Sequence, residues 1–158
     1  VYRDPWETFR RAANPYPKGA SVLHMLRERL GDEVFFRGVA AYVNRFRGRT
    51  VETDDFRRVM EEVSGEALQQ FFHQWVFRPG VPRIEVTSAF DASAGVLTLR
   101  AVQTQPINPD NPAFEFALPV LLLPAGGGEP VRTELAFNGR EAEARVPLTA
   151  AACRTAPR

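Results

Sequence analysis

Apolar residues recur at two different spacings along this chain, and the change falls near residue 80. Before it the period is helical. Asp4-Pro5 reads as a cap with proline at the first helical position, opening a short helix through about Arg11. Asn14-Pro15-Tyr16-Pro17 then predicts an extended or turning backbone, because a residue before proline avoids the α region. Pro17 suits the first turn of a helix running to Leu30, with Ala20, Leu23, Leu26 and Leu30 as its apolar stripe and Gly31 as its stop. Asp32 is the expected cap of a helix to about Phe46 that turns Phe35, Val39, Tyr42, Val43 and Phe46 inward. Thr53 is the expected cap of the next, with Phe56, Val59, Met60 and Val63 inward and Ser64-Gly65 as its end. A last helix from about Glu66 to Phe77 buries Leu68, Phe71, Phe72 and Trp75, and Pro79-Gly80-Val81-Pro82 closes the helical half.

From Arg83 the period falls to two. Ile84 and Val86, Leu97 and Leu99, Phe114 to Leu122, Leu135 and Phe137, then Val146 and Leu148 alternate with smaller or polar residues. Turn clusters at Asp91 to Gly95, Pro106 to Pro112, Gly126 to Gly128 and Asn138-Gly139 divide them; Asn-Gly predicts a type I′ hairpin. The pattern predicts an α+β chain, with helices over 1–80 and a small antiparallel β-sandwich over 81–158.

Composition narrows the function classes. With 158 residues, 44% apolar and 25% charged, the chain suits one ordinary soluble domain or two small ones. A formal charge of +1 lacks the footprint of a nucleic-acid binder. No apolar run reaches the length of a membrane helix. A single cysteine, Cys153, excludes an intrachain disulfide framework. The start at Val1 has neither initiator methionine nor signal-peptide layout, and reads as the edge of something processed or longer. Among 20 basic residues only Lys18 is a lysine.

No self-sufficient active site emerges from these residues. His24 and His73 stand on different helices without ligand-spaced partners, so no metal is expected in this chain. Cys153 lies in an Ala-rich tail, and Glu33, Asp54, Asp55, Glu61 and Glu62 read as ordinary helix-surface carboxylates. One segment stands apart: Tyr16-Pro17-Lys18-Gly19-Ala20. A tyrosine between prolines reads first as a packing residue. It reads second as a hydroxyl held in a turn ahead of a helix, able to donate to a developing oxyanion. Gly19 would let another backbone or a substrate approach.

The segment Tyr16 to Arg27 resembles the Tyr-x-Lys-Gly-Ala helix of the M1 family of zinc aminopeptidases. Further blocks follow in order: Leu30 to Phe36 with Tyr42, Thr53 to Phe56, Ser64 to Leu68, and Phe71 to Trp75 leading into Gly80-Val81-Pro82. Val96 to Leu99, Gln103 to Gln105 and Phe114 to Val120 look like strands of the β-sandwich that follows in that family. The resemblance implies the end of a thermolysin-like catalytic domain followed by that sandwich. The family's His-Glu-x-x-His, its later zinc-binding Glu and its Gly-x-Met-x-Asn strand are absent here. They lie upstream of the Tyr motif in the family, so the resemblance implies zinc, peptide substrate and a missing upstream catalytic domain in an intact parent. No cofactor is implied in this chain, which alone is expected to be inactive. Only Tyr16 carries over as catalytic, its hydroxyl bonding the oxyanion opposite the zinc. Lys18 reads as a helix-start surface residue or a contact with the missing domain. The alternative reading is a non-catalytic M1-like adaptor or interaction module; an isolated carbohydrate- or protein-binding sandwich would leave the helical blocks unexplained.

Overall fold

Two prolines open the first described helix, α1 (Pro15–Leu30). The computed structural model describes residues 15–123 and 129–148. The expected helix at 4–11, the glycine turn at 126–128 and Cys153 lie outside the described residues. Pro15 and Pro17 were expected to hold the backbone out of the helix as far as Tyr16. Instead all three residues are helical. The first four N–H groups of a helix have no partner within it, so proline loses nothing there and its fixed φ suits the turn. The buried face of α1 is also rotated from the expected stripe. Val22 and Leu26 are buried, whereas Leu23 is 44% exposed.

Gly31, at φ 75°, breaks the chain before α2 (Asp32–Phe46). Asp32 does not cap this helix; it is the first helical residue. Its carboxylate instead accepts two bonds from Arg27, Nε to Oδ1 at 2.8 Å and Nη2 to Oδ2 at 2.6 Å. This bidentate pair outcompetes a single main-chain N–H, and it holds the Asp32 carboxyl below its ordinary range. Phe35 and Gly38 form the buried contact of α2, while Val43, expected inward, is 50% exposed. A Cβ at Gly38 would run into the Met60 side chain, so the bare glycine lets α3 (Thr53–Ser64) approach. Glu52, rather than Thr53, is the N-cap of α3, and its N–H donates to Asp55 Oδ2 at 2.9 Å. Val59 and Met60 are fully buried, and Gly65 ends α3 in the left-handed region, its N–H donating to Glu61 O.

The last helical segment starts later than expected and changes character. It comprises α4 (Gln69–Phe72) and a π-helical turn (His73–Phe77). Glu61 Oε1 accepts the Leu68 N–H at 2.8 Å, satisfying a donor ahead of the helix. The Arg78 N–H donates back to His73 O at 3.0 Å, the longer span of a π turn. Leu68, Phe71, Phe72 and Trp75 are buried as the pattern predicts.

The chain divides into two compact units, Val1–Gly80 and Val81–Arg158. In the second, β1 (Ile84–Asp91), β2 (Val96–Gln103) and β5 (Glu141–Pro147) form one antiparallel sheet in the order β1-β2-β5. β3 (Phe116–Leu122) pairs antiparallel with β4 (Val131–Phe137) in the other. Leu99, Ala101, Leu135, Phe137 and Ala142 form the core they share, with Phe116 stacked on its register partner Phe137 at 4.8 Å. The fold is thus α+β, and the unit that follows the helices is a pair of small antiparallel sheets about a common apolar centre.

One expected hairpin is absent. Asn138-Gly139 joins β4 to β5, which belong to different sheets, and neither residue has positive φ. A type I′ turn needs positive φ at both positions. Gln103 decides the path: its Nε2 donates to Gly139 O at 2.9 Å and Phe114 O at 2.7 Å. Its Oε1 accepts from Phe114 N and Gln105 Nε2. This buried amide has its hydrogen bonds within the unit and draws the turn across to the other sheet.

Candidate functional site

The first turn of α1 carries the segment singled out in the sequence. Tyr16 sits within that turn and is 71% exposed. Beside it opens a cleft of about 480 Å³ within the helical unit. Lys18, Gly19 and Val22 of α1 form one wall; Val51 and Phe56 stand opposite, with Phe72 and Trp75 from the last helical segment. Tyr16 itself is not among the lining residues. A Cβ at Gly19 would meet nothing within 4 Å, so this stretch of the wall is open.

Lys18 does something the sequence did not reveal. Its Nζ donates to the main-chain carbonyl of Arg78 at 3.1 Å, sixty residues along the chain. Arg78 is the C-cap of the π turn and its backbone is extended, so its carbonyl turns away from the helix axis and takes a side-chain donor. Lys18 therefore ties the first turn of α1 to the residue after the π turn, inside its own unit. The π turn has no simple sequence signal, which is why this partner was not foreseen.

The carboxylates take structural partners. Glu33 pairs with Arg37, Asp54 and Glu61 with Arg57, and Glu62 with Arg45. The Arg45 guanidinium lowers the Glu62 carboxyl from its ordinary value by its hydrogen bond. His24 lies on α1 and His73 on the π turn, both exposed. Among the described residues no group of three or more His, Cys, Asp or Glu side chains is arranged to hold a metal ion. The described residues therefore do not supply a zinc site. Among the described residues no helix is long and apolar enough to cross a membrane.

Comparison with known proteins agrees with the sequence blocks. Residues 1–75 match the model of the Peptidase family M1 domain. The probable aminopeptidase 1 of Sulfurisphaera tokodaii is 35% identical over 91 residues, covering 57% of this chain and 12% of that protein. Aminopeptidase N of Escherichia coli is 34% identical over 95 residues, covering 60% of this chain and 11% of its own. The chain thus spans about a tenth of the length of these relatives. The crystal structure of Legionella pneumophila aminopeptidase A in complex with aspartic acid has the same fold over 90% of this chain and 16% of its own, with a TM-score of 0.69 at 23% identity. The matched region holds the Tyr16 to Ala20 segment and the helices that follow it, so the helical unit of this chain is similar to the peptidase family M1 domain.

Proposed function

We propose that this chain belongs to a zinc aminopeptidase, an enzyme that hydrolyses N-terminal residues from peptides, and that Tyr16 is its contribution to the chemistry. The observation that carries this reading is the placement of Tyr16 in an exposed first turn, inside the family-matched region and outside the cleft. A phenol so exposed can be reached by groups contributed from beyond this chain. When a peptide carbonyl becomes tetrahedral its oxygen gains negative charge, and the Tyr16 hydroxyl donates a hydrogen bond to it without changing its own charge. Such a bond is stronger in the transition state than in the ground state, so it acts on kcat. The zinc site belongs, in this reading, to residues upstream of Val1.

The test is Tyr16→Phe in the intact protein that carries this segment. Loss of one oxyanion donor is expected to lower kcat by about 10²- to 10³-fold with little change in KM. An unchanged kcat removes Tyr16 from the mechanism. The isolated 158-residue chain is expected to hydrolyse no peptide and to retain no stoichiometric zinc after dialysis. Upstream sequence separates the adaptor alternative: His-Glu-x-x-His with a later Glu supports the enzyme, and its loss supports the adaptor.

A further inference from the structure

We infer that the β unit pairs with a second copy of this chain through the open edge of β1, the two strands running antiparallel about a twofold axis at Thr87. β1 is an edge strand, bonded to β2 on one side only. Thr104 N donates to Arg83 O at 2.8 Å, one step beyond the pair Ile84 and Gln103, whereas Gln103 N donates to Arg140 O on the other side of β2. Main-chain groups alternate in direction along a strand, so Arg83, Glu85, Thr87, Ala89 and Asp91 bond toward β2. Ile84, Val86, Ser88 and Phe90 therefore aim their N–H and carbonyl groups at the open edge, where they have no hydrogen bond among the described residues. Their side chains share a face with the core, since Ser88 is the register partner of Leu99 and Val86 of Ala101. Yet Val86 is 52% exposed, so the core face is uncovered at β1.

The other strands are defended against such pairing. Pro119 interrupts the donors of β3, β4 carries Arg132 and Glu134, and β5 carries Glu141, Glu143 and Arg145 before ending on Pro147. β1 has neither charge nor proline from Val86 to Phe90. Its sequence is also complementary to itself. With Thr87 facing Thr87 of the second copy, Val86 meets Ser88 and Ile84 meets Phe90, each pair exchanging two main-chain bonds. On the other face Glu85 meets Ala89, so no like charges are opposed. At each end of the paired strands Arg83 meets Asp91. Both are exposed, and Arg83 has no ion-pair partner among the described residues. Asp91 takes its bonds from Ser93 N, Ser93 Oγ and Ala94 N on Oδ1, which leaves Oδ2 for the guanidinium. This charge match at both ends of an uncharged run selects a second copy over an unrelated extended peptide.

Sedimentation equilibrium of the 158-residue chain, from micromolar to millimolar concentration, tests this. The chain is expected to pass from monomer to dimer as concentration rises, because a single strand edge lies at the weak end of specific association. Ser88→Pro removes one N–H from the open edge and none from the ladder between β1 and β2, and is expected to weaken dimerisation by ~10-fold or more. Arg83→Asp sets acid against acid and Asp91→Arg sets base against base, and each alone is expected to weaken it by about 3-fold or more. Mixed together, those two variants regain opposite charges at both ends, and their mixed dimer is expected within about 2-fold of the parent affinity. Variants are compared where far-ultraviolet circular dichroism is native. Val86→Lys, which puts a charge on the open edge at a half-exposed position, replaces Ser88→Pro should that variant not fold. A parent chain that stays monomeric throughout overturns the pairing. So does a dimer that survives the edge variant, or a mixture that associates no more tightly than its components.

Discussion

The two units bury apolar surface in different ways. The β unit surrounds one shared centre and locks it with Gln103, a buried amide bonded to three segments. The helical unit has fully buried points at Leu26, Val59, Met60 and Leu68, yet it keeps an apolar cleft and leaves Tyr16, Leu23, Phe36, Val43, Val51, Val76 and Phe77 exposed. Exposed apolar groups on this scale cost solubility unless something meets them. The β unit exposes fewer, Val81, Val86, Leu121 and Leu123, so the contrast lies in the open cleft and the larger set of exposed apolar groups of the helical unit.

The sharpest attack on this contrast is Gln103→Leu. It leaves the buried Phe114 N–H and carbonyl without their side-chain partner and frees Gly139 O, at about 4 kcal/mol in total. Both tryptophans and all three tyrosines lie in residues 1–80. Denaturation followed by far-ultraviolet circular dichroism should therefore show early loss of strand signal, while the tryptophan fluorescence midpoint stays in place. If the fluorescence midpoint moves equally, the units do not unfold independently and the contrast is wrong. Leu26→Ala is the reciprocal change, with a cost of about 3 kcal/mol that should appear in the fluorescence transition first. Gly38→Val adds bulk against Met60 and should cost about 2 kcal/mol in the same transition.

A weaker effect sharpens the reading of the cleft. Leu23→Ser changes a half-open cleft wall and should shift stability by no more than about 0.5 kcal/mol. A larger loss would place the cleft within a packed core. Acid should produce the smallest change, and in both units. Asp32 is held below its ordinary value by Arg27, and Asp91 by Ser93 and the Ala94 N–H. A carboxyl lowered by folding stabilises the fold above its unfolded pKa, and the benefit is lost as pH falls through the folded one. Titration below about pH 4 should therefore reduce both midpoints slightly, and Asp91→Asn should flatten the response of the β unit alone.

Much of the fold was legible because its signals are local. Gly65 after α3, the buried Leu68-Phe71-Phe72-Trp75 face and the alternation from Ile84 onward all follow from period and turn chemistry within a few residues. The errors share a different cause. Asp32 was expected to cap because the sequence shows a carboxylate before a helix, but not the Arg27 side chain that takes it. Asn138-Gly139 has the composition of a hairpin turn, yet the strands it joins pair with others. Tyr16 was singled out by its ordered neighbours; the tie from Lys18 to Arg78 was not legible, since it spans sixty residues and depends on a π turn.

The sequence by itself determined the two periods, the change between them near Gly80, the helical and strand content and the segment that resembles family M1. Each is set by backbone preference and burial pattern over short stretches. Only the tertiary structure decided which strands pair, which face of α1 is buried, where the cleft opens and what Lys18 holds. Those outcomes depend on competition among partners distant in sequence, and such a competition is resolved only when the chain brings them within hydrogen-bonding and packing distance.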